Sequence, residues 1–293
     1  MSHAHTPLAP AVSSQEKFQW RSKTTKWVVL AFAILVAVTM LLPLLLVVLN
    51  SFKTAADYSQ NGPLQLPEAW TLDAFSRFFS TIDFARLLWN SVLISGLVAV
   101  LGTALSLLNS YALGIGRVKG RIGIIFLLLM ATMLPQESLL YPLFYGAQKL
   151  GLHNTPTSVI IIFTVLQAAM GTYLLSSVLG TFPKEILEAA RVDGASRSRI
   201  LISIVTPIMR PTLSVLMVFF FVWTWNEFFI PMVMLITPSA QTIPIAIAAL
   251  KGQNTLDVTQ LAAGSLVSLL PTLIFFLIFQ RTLTRGVTAG ATK

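Results

Sequence analysis

Side chains able to break bonds are sparse in this chain. Cysteine is absent, and two of its three histidines, His3 and His5, stand in a polar leader, leaving His153 alone. The G-x-x-x-x-G-K-[ST] phosphate loop, H-E-x-x-H and G-x-S-x-G are all missing, so nucleotide hydrolysis, zinc chemistry and a serine nucleophile lack their essential groups. No metal site, disulfide framework or catalytic residue is expected. What remains is a set of polar side chains inside apolar runs. Ionisable groups there normally mark ion paths, which singles out Glu137 and Glu227. Along straight helices Glu137 falls about 22 Å, and Glu227 about 24–28 Å, from one membrane face. That depth lies beyond the midplane where a coupling carboxylate belongs. The acids read as solvated or paired at the mouth of a cavity, or as part of an outer gate; a proton relay fits the depth poorly. Asn109, Gln136 and Gln167 each donate and accept hydrogen bonds. They suit either the path of a hydroxylated solute beside aromatic faces or bonds between helices. Phe219, Phe220 and Phe221 read as packing or lipid contacts.

The elements holding these groups are membrane spans. The 293 residues are 55% hydrophobic and only 11% charged, with mean hydropathy +0.77; soluble domains carry about 25% charged residues. The uncharged run 27–49 is long enough to cross roughly 30 Å of hydrocarbon. Its long charged leader, long apolar core and lack of a small-x-small site argue against a cleaved signal, so it is expected to be a retained first span. Further spans are expected at 87–113, 122–144 (interrupted by Pro135 and Glu137), 157–179, 211–232 and 261–280. These divide the chain into a basic tail 1–26, the span 27–49, a polar loop 50–86, a core 87–281 of five spans, and a tail 282–293. No internal repeat is visible. Fifteen of the 20 Lys and Arg fall on the side of the two tails and of loops 114–121 and 180–210, and five on the other. The positive-inside rule puts both termini in the cytoplasm. The net charge of +9 is then topogenic, and nucleic acid is not needed to explain it.

One cytoplasmic stretch, 182–211, is polar and structured in pattern. Pro183 suits the start of a helix. Ile186, Leu187, Ala190 and Val192 are expected to cluster on one side, with Lys184, Glu188 and Arg191 around the rest. Gly194 reads as a helix stop needing positive φ. Ser196 reads as the cap of a second helix running through Ile200, Leu201 and Ile204 to Pro207. This is a short, rigid, amphipathic helix–turn–helix outside the bilayer, built to dock on something.

The same residues carry a resemblance. Glu188-Ala189-Ala190, three residues, Gly194, nine residues, Ile204, two residues and Pro207 resemble the EAA loop of bacterial ABC importer permeases. The wording AARVDGAS from Ala189 to Ser196 resembles the carbohydrate-importer branch of maltose type, and Thr206 departs from the Leu usual there. The resemblance implies that Glu188, Ala189, Ala190, Asp193, Gly194 and Ala195 dock an ATPase. The ending from Gln280 to Ala291 is similar to the sugar-permease C-terminus, implying that Gly286, Thr288 and Ala289 contact that ATPase; without the resemblance it is a solvated basic tail. The loop holding Gln253, Asn254 and Thr255 is either a plain connector or the scoop that such permeases extend into the binding protein. The family's tryptophan–asparagine–acid cluster points to Asn226 and Glu227 as an outer gate.

The expected fold is an all-α integral membrane protein with six transmembrane helices and a cytoplasmic coupling helix between spans 4 and 5, a type I ABC importer permease. The implied function is the permease subunit of an ATP-driven sugar importer in the bacterial inner membrane, taking oligosaccharides or polyols. It is expected to work with a second, different permease, two ATPase subunits and an extracytoplasmic solute-binding protein. No cofactor is expected on this chain, since ATP and Mg belong to the ATPase. The alternatives are an ABC permease for another solute and an ion-coupled secondary transporter.

Overall fold

A computed structural model describes residues 23–116, 118–250 and 257–291, with side chains for 25–116, 118–250 and 257–280. Among the described residues every regular element is helical. In chain order they are α1 (Lys23–Ser51), α2 (Ala55–Asn61), α3 (Asp73–Thr81), α4 (Phe84–Gly114), α5 (Arg121–Met133), α6 (Gln136–Lys149), α7 (Pro156–Gly180), α8 (Lys184–Val192), α9 (Arg197–Ile200), α10 (Thr206–Asn226), α11 (Phe229–Met234), α12 (Ile243–Leu250) and α13 (Val258–Ala291). Among the described residues five stretches are long and apolar enough to cross a membrane, and α5 with α6 makes a sixth if that bent pair counts as one span.

The chain divides into two units, 1–46 and 47–293. The first contributes most of α1, whose residues 25–45 are exposed along their whole length. An all-round apolar surface of this kind is stable only in lipid or against another apolar chain.

In the second unit the core forms where α4, α7 and α10 meet. Small residues make that approach close: on α4, Ser106 faces Gly171 of α7 and Gly102 lies near the Thr164 carbonyl of α7, while Phe220 of α10 fills the space beside both glycines. A Cβ added at Gly171 would stand 2.8 Å from Phe220 Cζ and collide with Ser106 Oγ. Stripes of small residues serve helix packing in lipid, where hydrophobic burial between helices is weak. The Ser106 hydroxyl donates to the Gly102 carbonyl at 2.6 Å, and the Thr172 hydroxyl to the Ala168 carbonyl at 2.6 Å, so both stay satisfied within their own helices.

Several expectations need correction. The stretch 50–86 is not simply a loop, because it holds α2 and α3, and the second span starts at Phe84, capped by Asp83 accepting from the Arg86 N–H. The third span is not straight. Leu134 and Pro135 are extended, and α5 and α6 bend by 96° there, so the straight-helix depth given to Glu137 does not apply. The fifth span is not 211–232. It runs unbroken from Arg197 to Asn226, because a π-helical turn at Leu201–Val205 absorbs Pro207 instead of breaking there. The Thr206 hydroxyl donates to the Leu201 carbonyl at 2.8 Å, which also accepts from the Thr206 N–H across the wide turn. The end of the expected span, after Asn226, forms the separate short helix α11, and the long loop expected before the sixth span contains α12.

At the α3 end, Arg77 bridges two elements. It pairs with Asp73, donates from Nε to Asp257 at 3.1 Å and from Nη2 to the Thr259 hydroxyl at 3.1 Å. Gln260 adds a bond to Thr81 at 3.0 Å, and Phe78 sits fully buried against Gly264. Burial alone would raise the Asp257 carboxyl. Hydrogen bonds from Thr259 and Gln260, together with the Arg77 charge, outweigh this and hold it below the ordinary carboxylate range. Lys53, in the stretch expected to be a polar loop, is fully buried and donates to the Gly62 carbonyl at 2.7 Å.

Candidate functional site

The amphipathic helix–turn–helix is α8 and α9. Pro183 stands just before the first turn of α8, whose Leu187 and Ala190 are buried in a cluster with Leu175, Leu179, Phe182, Ile200 and Met209. Helical spacing sets which residues belong to that face. Leu187 and Ala190 lie three apart, whereas Val192 points nearly opposite and is 87% exposed, and Ile186 is 39% exposed. The expected four-residue apolar face is therefore two residues wide at its buried centre. Glu188, Ala189, Asp193 and Gly194 lie on the exposed side, Ala190 faces the core and Ala195 is half-buried.

The turn is a Schellman motif. Gly194 has φ +73, its N–H reaches the Arg191 carbonyl at 3.0 Å, and the Ala195 N–H reaches the Ala190 carbonyl at 2.9 Å. Ser196 then caps α9 by accepting from the Arg199 N–H at 3.3 Å. The Tyr111 hydroxyl donates to the Arg197 carbonyl at 3.1 Å and ties the end of α4 to α9. These bonds make the surface turn stiff. Because α9 passes through the π turn into α10, one element runs from Arg197 to Asn226, roughly 45 Å at the α-helical rise.

At the far end of that element, Trp223 borders two cavities. The larger, about 570 Å³, lies among α4, α5, α6, α7 and α10 and is lined by Asn109, Gln136, Gln167, Tyr173 and Trp223 among mostly apolar neighbours. The three amides noted in the sequence, drawn from three different helices, thus share one cavity. Gln167 is 3% exposed. Its Nε2 donates to the Thr224 hydroxyl at 2.8 Å, and its Oε1 has no partner. Asn109 donates to the Thr172 hydroxyl at 3.3 Å. Glu137, one residue from Gln136, is exposed and does not line this cavity.

The second cavity, open and about 330 Å³, is lined by Phe219, Val222, Trp223, Asn226 and Glu227. The Asn226 amide donates to the Val222 carbonyl at 2.7 Å, and the Glu227 carboxylate accepts from the Phe229 N–H at 3.2 Å. Glu227 therefore ends α10 and starts α11. Phe220, by contrast, is fully buried packing. A third hollow of about 300 Å³, near Asp83, Arg86 and Gln241, joins segments too distant in sequence to be foreseen. Asn154, with φ +59, was also missed. Its carboxamide oxygen accepts from the Ile236 and Thr237 N–H groups and fixes the chain after α11.

Gln253, Asn254 and Thr255 lie outside the described residues. Gly286, Thr288 and Ala289 fall on the last turns of α13, and their side chains also lie outside the described set.

Comparison with known proteins agrees with this architecture. The chain is 33% identical over 278 residues to the arabinooligosaccharides transport system permease protein AraQ of Halalkalibacterium halodurans, covering 93% of this chain and 98% of that one. It is 32% identical over 264 residues to the trehalose/maltose transport system permease protein MalG of Thermococcus litoralis, covering 89% and 94%. The fold is similar, with a TM-score of 0.72 at 22% identity, to a chain of a bacterial ABC transporter involved in the import of the acidic polysaccharide alginate, covering 90% of this chain and 99% of that one. Residues 11–288 match the family model for the binding-protein-dependent transport system inner membrane component, and the chain belongs to that family.

Proposed function

We propose that this chain is the multi-pass permease subunit of a binding-protein-dependent sugar importer driven by ATP. It forms the path with a second permease, and α8 and α9 dock a partner ATPase on the cytoplasmic side, where both termini lie. ATP and Mg act on that partner, and a solute-binding protein delivers the sugar at the other face. The sugar class rests on the relatives, whose names specify arabinooligosaccharides, trehalose and maltose.

The observation that carries the docking role is the split character of α8. Glu188 and Ala189 are exposed above a core formed by Leu187 and Ala190. Its surface is thus offered to a partner while its underside is coupled to Met209 of α10. A push on α8 moves α10 as a unit and with it Trp223 and Asn226, so the far cavities respond to a change at the near surface. A two-state lever of this kind gives a ligand-driven reorientation its physical basis.

The experiment is purification of the complex through a tag on this chain, identification of the co-purifying subunits, and a screen of sugars with the binding protein for stimulated ATPase activity. A second permease and an ATPase in the complex, with stimulation by at least one sugar, is the expected result. A lone chain, or uptake that follows an ion gradient and ignores ATP, would contradict it.

A further inference from the structure

The cavity beside Trp223 has a lining whose chemistry selects a substrate class. Among the described residues around it none is Asp, Glu, Lys or Arg. Its polar groups are the amides of Asn109, Gln136 and Gln167, the Thr132 hydroxyl and Tyr173, set among apolar side chains with the Trp223 ring at one wall. Amides offer both a donor and an acceptor, as sugar hydroxyls do, and aromatic faces suit the C–H faces of sugar rings. Gln167 adds a specific demand. One end of its amide bonds Thr224 and the other has no partner, whichever way the amide is turned. A buried polar atom left without a partner is costly; this one is closed off from the cavity surface, and a turn of the amide brings it to an entering hydroxyl and relieves that cost. A lipid chain in the same space would leave all three amides without new partners.

Charge gives the sharper constraint. An ionised carboxylate moved into a mostly apolar site without a cation loses its hydration and gains no compensating pair. The fold neighbour belongs to an importer of an acidic polysaccharide, so the shared architecture leaves the charge of the cargo open and the local lining must decide it. We infer that this chain's half of the path is a selectivity site for uncharged saccharides, with Asn109, Gln136 and Gln167 bonding sugar hydroxyls and Trp223 stacking on a ring, and that it rejects uronates. This rests on the sugar-import reading above and narrows its substrate class.

The test is uptake by the complete importer in proteoliposomes with its binding protein. Trehalose, maltose, raffinose and arabinotriose serve as uncharged probes, and digalacturonate and an alginate trisaccharide as acidic ones. Import is expected among the uncharged probes only. Gln136→Ala and Trp223→Ala, both at partly exposed positions, are expected to lower that import about fivefold to tenfold, the loss of one hydrogen bond or stacking contact each. Recovery of the assembled complex at the parental yield identifies these losses as effects on passage. Import of either acidic probe overturns the inference while leaving the sugar reading intact. Unchanged import by both variants also overturns it. Import of no probe of either class overturns the inference and the sugar reading together.

Discussion

At the scale of single residues, two positions carry local rules with measurable consequences. Gly194 sits at φ +73 with nothing within 4 Å of where a Cβ would stand, so its requirement is conformational and not steric. Gly194→Ala is expected to cost about 1 kcal/mol, read as a lower melting temperature of the purified complex, with Glu188 still exposed. Asp257 belongs to a different rule. Its carboxyl is held below the ordinary range, so its stabilising contribution is fully present above the unfolded-state value and is lost as pH falls through the folded one. The bridge from α13 to Arg77 should therefore hold at neutral pH and weaken only in acid below about pH 4. Hydrogen exchange in α3 reads this directly, and Asp257→Asn should raise exchange there at neutral pH. Gly194 and Ser196 were legible in the sequence because capping and positive φ are local demands. Arg77 falls in the stretch 50–86 that reads only as a polar loop, since its partners Asp257 and Thr259 lie some 180 positions away.

At the scale of elements, the decisive features are one tight crossing and one helix that does not break. The α4–α7 crossing tolerates no side chain at Gly171, and Gly171→Ala should destabilise the complex by about 1–3 kcal/mol through overpacking against Ser106 and Phe220; thermal unfolding of the detergent-purified complex measures it. Span existence was legible from apolar runs, since bilayer thickness fixes their length. Span ends and breaks were less so. Pro135 and Pro207 have the same missing N–H, yet one accompanies a 96° bend and the other is absorbed by a π turn. The difference lies in packing. No residue of α5 is buried, whereas the π turn buries Val205 in the cluster that also holds Leu187 and Met209. Such tertiary support leaves no trace in local sequence. The face of α8 was misjudged for a simpler reason: counting apolar residues included Val192, which helical angles place outside.

At the scale of the whole molecule, the helical stretch Arg197–Asn226 runs from the exposed α8–α9 turn, the proposed docking surface, to the cavity beside Trp223. The amides at Asn109, Gln136 and Gln167 were each visible in the sequence, but their convergence depends on how α4, α6 and α7 pack, and so only the structure brings them together. The central claim is that α8 is the surface through which ATP-driven work enters this chain. Glu188 is exposed and outside the packed cluster, so Glu188→Lys should leave insertion and folding intact while reversing the charge offered to the ATPase. The most direct measurement is the amount of ATPase co-purifying with tagged Glu188→Lys and Gly194→Asp chains, taken together with sugar uptake by the same preparations. The account predicts about a tenfold loss of bound ATPase, or ATPase activity no longer coupled to uptake, in both variants. Normal co-purification together with normal uptake in both would contradict it.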